Sequence, residues 1–135
     1  MQKQLAQVAK FQRAFGQNVK TQPTSIDEEK AILRFNLMKE ENEEYLEAVQ
    51  NNDLVEIADA LTDQLYILCG TILEHGMQNI IEKCFEEVQR SNMSKLDEEG
   101  LPIINGENGV WDESRPKGKI LKSKNFSEPN LKQFL

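Results

Sequence analysis

Residues 40–63 read EENEEYLEAVQNNDLVEIADALTD, and the fold follows from how this stretch divides. Tyr45, Ala48 and Val49 continue a helical apolar spacing that begins at Leu33 and Leu37. Asn51-Asn52-Asp53 supplies turn residues, and Asp53 is placed to cap a following helix. Upstream, Ser25 with Glu28 fits a capping box, so a second helix is expected over 25–50. Downstream, a third helix is expected over 54–74, stopping at Gly76. Two helices joined by so short a turn run antiparallel.

Working outward, Leu5, Val8, Phe11, Gln12 and Phe15 recur at helical spacing, with Gly16 as a stop. A fourth helix is expected over 78–90, with Ile80, Ile81, Cys84, Phe85 and Val88 on one face. From Ser91 the grammar changes: Gly100, Pro102, Gly106, Gly109, Pro116, Gly118 and Pro129 forbid another long helix. The apolar pieces 101–104 and 119–121 suit either a small hairpin or an irregular arm. The expected architecture is therefore all-α: a four-helix bundle core in a domain over 1–95, and an irregular C-terminal arm over 96–135. That arm is expected to pack on the bundle or on a partner subunit.

The chain has 135 residues, 39% hydrophobic and 29% charged, which suits one globular domain and excludes wholesale disorder. No apolar run approaches the roughly 18 residues of a membrane span, and the N-terminus has no signal-peptide core. Cys69 and Cys84 lie in apolar helical segments and are expected to be reduced, which points to the cytoplasm. With 16 Lys+Arg against 23 Asp+Glu the net charge is −7, which excludes a nucleic-acid coat or a polybasic membrane binder. The charges are also segregated. Between residues 27 and 63 lie twelve acids and only Lys30, Arg34 and Lys39 as bases. Between 115 and 132 lie Arg115, Lys117, Lys119, Lys122, Lys124 and Lys132, against Glu128 alone.

Helical geometry sorts the acids. With Leu33 as zero and about 100° per residue, Glu44 and Glu41 fall at about 20° and 80°, inside the apolar arc. Glu40, Glu43 and Glu47 fall outside it, and Arg34 shares the arc near its start. On the third helix apolar side chains cover nearly the whole circumference, so it reads as buried on most sides. Glu56, Asp59 and Asp63 nevertheless share one strip, with Gly70 continuing it and leaving room. Buried ionised carboxylates cost several kcal/mol each unless compensated, and a divalent cation would compensate them. The blander readings are a solvated face for EENEE and a capping-box partnership of Glu56 with Asp53. The pairing of i,i+3 acids across two antiparallel helices favours the metal site. One histidine, His75, and two scattered cysteines supply zinc poorly, whereas an all-oxygen set suits Mg²⁺ or Mn²⁺. His75 is expected to meet carbonyls at the helix end.

Glu40-Glu41-Asn42-Glu43-Glu44 followed by Glu56-Ile57-Ala58-Asp59 resembles the EExxE…ExxD signature of the all-alpha nucleoside triphosphate pyrophosphohydrolases. That superfamily includes MazG-like, phosphoribosyl-ATP pyrophosphohydrolase and dimeric dUTPase branches. Residues 60–66 look like the family's continuation. Residues 85–95, FEEVQRSNMSK, and Gly118-Lys119-Ile120-Leu121-Lys122 with Asn125-Phe126 resemble the bacterial and phage branch. Two departures stand out: many relatives carry His where Gln12 stands, and the stretch 105–116 is longer than usual.

The resemblance implies hydrolysis of a (d)NTP between its α- and β-phosphates, giving the monophosphate and pyrophosphate. Glu41, Glu44, Glu56 and Asp59 are the expected metal ligands and catalytic acids. Asp63 is expected to serve a second ion or a coordinated water, and Glu40 is the candidate base. Lys95 and Lys122 are expected to grip the triphosphate, while Gln12, Asn92 and Asn125 are expected to contact base or ribose. Phosphoribosyl-ATP hydrolysis is the nearest competing reading; a non-catalytic helical oligomer with a structural metal site is the other. The apolar girth of the third helix implies a homodimer or homotetramer, and the resemblance agrees.

Overall fold

The computed structural model describes residues 1–135 as α1 (Gln2–Ala14), α2 (Glu28–Gln50), α3 (Leu54–Glu74) and α4 (Ile81–Met93), then a short 3-10 turn, Leu131–Phe134. The chain is all-α, with the four helices expected of a helical bundle. The 101–104 and 119–121 pieces meet only as an isolated antiparallel bridge between Ile104 and Ile120.

Three successive helix ends are built alike. After α1, Gly16 N–H donates to Arg13 O and Gln17 N–H to Gln12 O. After α2, Asn52 donates to Val49 O and Asp53 to Ala48 O; after α3, Gly76 donates to Leu73 O and Met77 to Ile72 O. Each pair satisfies two terminal carbonyls around a residue with positive φ, here Gly16, Asn52 and Gly76. Asp53 then caps α3 immediately, its Oδ1 accepting from Val55 N–H at 3.0 Å and Glu56 N–H at 3.2 Å. Asp53→Ala is expected to cost about 1 kcal/mol in urea unfolding, the usual loss for an N-cap.

Two helix starts differ from expectation. Helix α2 begins at Glu28, capped by Asp27 through Lys30 N–H at 2.9 Å, so Ser25 lies outside it. A carboxylate is both the acceptor and the favourable charge at that end. Helix α4 begins at Ile81 rather than 78, because Ile80 and Ile81 both donate to Met77 O in a preceding turn.

Contacts divide the chain into two compact units, Met1–Ile81 and Glu82–Leu135. The expected boundary at 95/96 lies inside the second unit, where α4 and the tail belong together. In the first unit Leu5, Val8 and Ala9 of α1 pack on Cys69, Ile72 and Leu73 of α3, with Val19, Met77 and Ile81 against them. Burying each large side chain stabilises the unit by about 1.5–3 kcal/mol. Burial also pushes the Cys69 thiol pKa up. Cys69 and Cys84 are both unbridged. Phe11 and Phe15 are not core residues here; they stack on each other at 4.4 Å, and Phe11 meets Tyr66 edge-on at 5.7 Å.

The second unit is tied together by α4 side chains. Arg90 is bidentate on Glu87 at 2.9 Å and reaches Ser127 Oγ and Glu128 O, while Glu87 Oε1 accepts from Asn130 N–H at 2.8 Å. The hydrogen bond from Arg90, then that from Asn130, holds the Glu87 pKa down at about 2. A depressed carboxylate stabilises its contacts above the ordinary pKa and loses them only as pH falls through the folded value. The Asn130 amide resonance is therefore expected to titrate with a midpoint near pH 2; a midpoint near 4.5 would show that the Glu87 contact is absent in solution.

Candidate functional site

Helices α2 and α3 run antiparallel, and four contacts set their register. Lys30 Nζ lies 3.7 Å from Glu74, Arg34 Nε donates to Thr71 Oγ1 at 3.0 Å, Arg34 also donates to Ile67 O, and Gln64 Nε2 donates to Glu41 O at 3.3 Å. Each step along α2 toward the turn is matched by a step back along α3. On that register Glu41 stands level with Gln64, and Glu44 with Leu61, so Asp59 and Asp63 flank the two acids of α2.

Glu41 is the centre of this group. Its Oε2 is buried and has no hydrogen-bond partner. Its pKa is raised, first by desolvation, then by the nearby charges of Glu44, Asp63, Glu40 and Asp59. Five carboxylates from two facing helices thus share one field. Glu56 lies nearer the turn, where Glu44, Glu47, Ala48, Asn51, Asp53 and Glu56 line a hollow of about 340 Å³. Glu56 does not complete a capping box, because the Asp53 N–H donates to Ala48 O at 3.0 Å instead.

Three expectations are corrected. The acid strip of α3 is not enclosed: Glu56 and Asp59 are exposed, and Asp63 is half-buried. Nor is α3 covered on most sides within this chain, since Leu54 and Val55 are 79% and 75% exposed and Leu61, Leu65 and Leu68 are also exposed. Third, the room beside Gly70 is filled by the Arg34 guanidinium; a Cβ built on Gly70 would stand 2.7 Å from Arg34 Nη2. Desolvation lowers the Arg34 pKa while Glu74 raises it.

The donors fit a hard divalent cation in type and sign: they are all oxygen, they repel one another, and the innermost oxygen has no partner. No group of three or more Asp, Glu, His or Cys side chains is close enough together to hold a metal ion in this arrangement. His75 caps α3, but its Nδ1 meets Thr24 O at 2.9 Å rather than a carbonyl of its own helix.

The other expected residues divide between the units. Gln12 is 1% exposed in the first unit; its Nε2 lies 3.4 Å from Gly70 O and its Oε1 is buried without a partner. With Phe11, Arg34, Leu37, Tyr66 and others it lines a mainly apolar hollow of about 220 Å³. Asn92, Lys95, Lys122 and Asn125 belong to the second unit. There Lys95 Nζ donates to Asn92 Oδ1 at 2.7 Å, Lys122 Nζ stands 4.1 Å above the Phe126 ring, and Asn125 N–H donates to Ser123 Oγ. Lys95 and Lys122 line one hollow with Arg115 and Lys119. Sequence reasoning passed over Arg115 and Lys119 as individuals, although both lie in the basic block it singled out.

Residues 8–92 match the family described as phosphoribosyl-ATP pyrophosphohydrolase. The match contains Gln12, every acid of the α2–α3 pair and Asn92. No curated protein shows significant similarity to the chain. No helix is long and apolar enough to cross a membrane.

Proposed function

The chain belongs to the phosphoribosyl-ATP pyrophosphohydrolase family, within the all-alpha NTP pyrophosphohydrolases, and on that footing we propose that it hydrolyses a (d)NTP to the (d)NMP and pyrophosphate. The coarser activity, hydrolysis of a pyrophosphate bond, comes with the family. The observation that supports metal-assisted hydrolysis here is Glu41, whose buried oxygen has no partner and whose charge is opposed by four further carboxylates.

Glu41, Glu44, Glu56 and Asp59 would hold Mg²⁺, or Mn²⁺, with Asp63 beside them. When bound, such an ion neutralises phosphate charge and eases deprotonation of water. The protein's own part is positional. The Asp53 cap and the Gln64–Glu41 contact hold α3 against α2, which keeps Asp59 and Asp63 within the electrostatic reach of Glu41. Glu40, exposed at the edge of the group, would take a proton from water as the base. Gln12 offers an unpaired acceptor to an N–H of the nucleobase, and the Phe11 and Tyr66 rings offer apolar surface beside it. The exposed apolar side chains of α3 support a homodimer or homotetramer, in which a second copy covers them.

A second reading, phosphoribosyl-ATP as substrate, is favoured by the description of the matched family. Both reactions break an α–β phosphoanhydride and release pyrophosphate. A panel of dNTPs, NTPs and phosphoribosyl-ATP, assayed for pyrophosphate with Mg²⁺ and with chelator, separates them. Release from (d)NTPs that the chelator stops is the expected result. Turnover of phosphoribosyl-ATP alone would establish the second reading, and release from neither would leave a helical oligomer with a structural metal site.

A further inference from the structure

The chain contains two Asn-Gly pairs, Asn105-Gly106 and Asn108-Gly109, both in the glycine-rich stretch of the second unit. Such a pair carries a latent reaction of its own. The glycine amide nitrogen can attack the preceding carboxamide, because glycine has no side chain to shield it. Asparagine is a thermally labile residue. The two pairs share one loop, yet the fold treats them oppositely.

Asn105 is fully buried; its Nδ2 lies 2.8–3.3 Å from the carbonyls of Arg115, Asp112 and Pro116, and its Oδ1 accepts from Asp112 N–H at 2.7 Å. Turning this carboxamide toward Gly106 would break all four contacts away from water. The attacking nitrogen is committed as well, since Gly106 N–H donates to Val110 O at 2.8 Å. Asn108 and Gly109 have neither protection. Both are exposed, and neither the Asn108 carboxamide nor the Gly109 N–H makes a hydrogen bond. The space beside Gly109 is open, with nothing within 4 Å of a Cβ built there. The two are the central residues of a turn closed by Val110 N–H to Glu107 O at 2.9 Å, with φ +50° and +77°. Positive φ at both central positions is the mark of a type I′ turn, for which Asn-Gly is the preferred sequence. Attack requires the Asn108 backbone to rotate out of that turn. Two backbone bonds across the pair resist, in a loop whose residues 106–109 are all exposed, where local opening is easiest.

We propose that Asn108 is a site of spontaneous deamidation in the folded protein, and that Asn105 is held back from the same reaction. The Gly109 amide nitrogen loses its proton to solvent and attacks Asn108 Cγ. The new C–N bond forms as the Cγ–Nδ2 bond breaks, and Nδ2 leaves as ammonia with a proton from water. The resulting succinimide is opened by water at either carbonyl. Opening at Cγ gives aspartate, and opening at the main-chain carbonyl gives isoaspartate. No redox partner or enzyme is needed. Either product adds a negative charge to a chain already at −7. Isoaspartate also routes the main chain through Cβ, which the type I′ turn does not accommodate. The inference is independent of the proposed hydrolase activity.

The test is incubation of the full chain in mildly alkaline buffer, folded and in urea. Isoelectric focusing and peptide mapping, with fragmentation that separates aspartate from isoaspartate, follow the products. In the folded protein Asn108 is expected to convert at least about tenfold faster than Asn105. In urea the frame around Asn105 is gone, and the two sites are expected to convert at rates within about twofold of each other. The Asn108 rate should rise with pH, because the attacking nitrogen must first lose its proton. Asn108→Gly keeps a residue that adopts positive φ freely and removes the carboxamide, so the folded variant should not form the acidic species. Three results would each overturn the proposal: an unchanged Asn108 in the folded protein, folded Asn105 converting as fast as Asn108, or an Asn108→Gly variant that acquires the charge at the wild-type rate.

Discussion

Glu41→Gln is expected to lower pyrophosphate release by about a thousandfold or more, with an unchanged far-UV spectrum. Glutamine keeps the shape but removes the charge at the centre of the acid group, and a thousandfold corresponds to about 4 kcal/mol of lost transition-state stabilisation. Asp59→Asn is expected to act in the same direction. The stability effect has the opposite sign. Burial and four neighbouring carboxylates raise the Glu41 pKa, so its ionised form opposes folding once pH exceeds the unfolded value. At pH 7 the melting temperature of Glu41→Gln should equal or exceed that of wild type, and the difference should vanish as pH falls toward the ordinary carboxylate range. Parallel assays and thermal melts decide the matter: full activity removes the site, and an inactive variant that melts earlier makes Glu41 structural.

Gly76→Ala is expected to cost at least about 3 kcal/mol, or about 10 °C in melting temperature. Gly76 has φ +68°, and a Cβ there would stand 2.1 Å from Gln22 O and 2.6 Å from Gln22 C. The obstructing atoms are backbone and cannot swing aside. They belong to a segment stitched to the end of α3 by Lys20 N–H to Leu73 O at 2.9 Å and Thr24 N–H to His75 O at 3.0 Å. Gly16→Ala is the matched comparison, because φ is +69° there and nothing lies within 4 Å. It should show only the conformational cost, about 1–2 kcal/mol. Equal losses in the two variants would mean that the segment yields.

Much of this was legible in the residues themselves. Asn51-Asn52-Asp53 announced both the break and the new start because capping chemistry is local, and α3 runs over the span its apolar spacing marks. The start of α2 was misread because Ser25 and Asp27 both satisfy a cap, and only the path of the preceding chain selects between them. The facing of Glu41 followed from its helical angle. The exposure of Glu56 and Asp59 did not, because an apolar circumference cannot say whether its cover comes from the same chain. The helical angle of Arg34 places a charge in the apolar arc; that it reaches over Gly70 is a three-dimensional fact. Asn105 carried no signal at all, since an asparagine in a glycine-rich loop reads as a turn until its four backbone partners are seen.

The Asp53 joint has a consequence for how this molecule tolerates change. One residue finishes α2 through its N–H and starts α3 through its side chain, so the connection has no slack. Adding or deleting a single amino acid there would swing everything downstream by about 100° around its axis. Asp59 and Asp63 would then look away from Glu41 and Glu44, although every side chain was still present. Within this linker, composition can drift while length cannot.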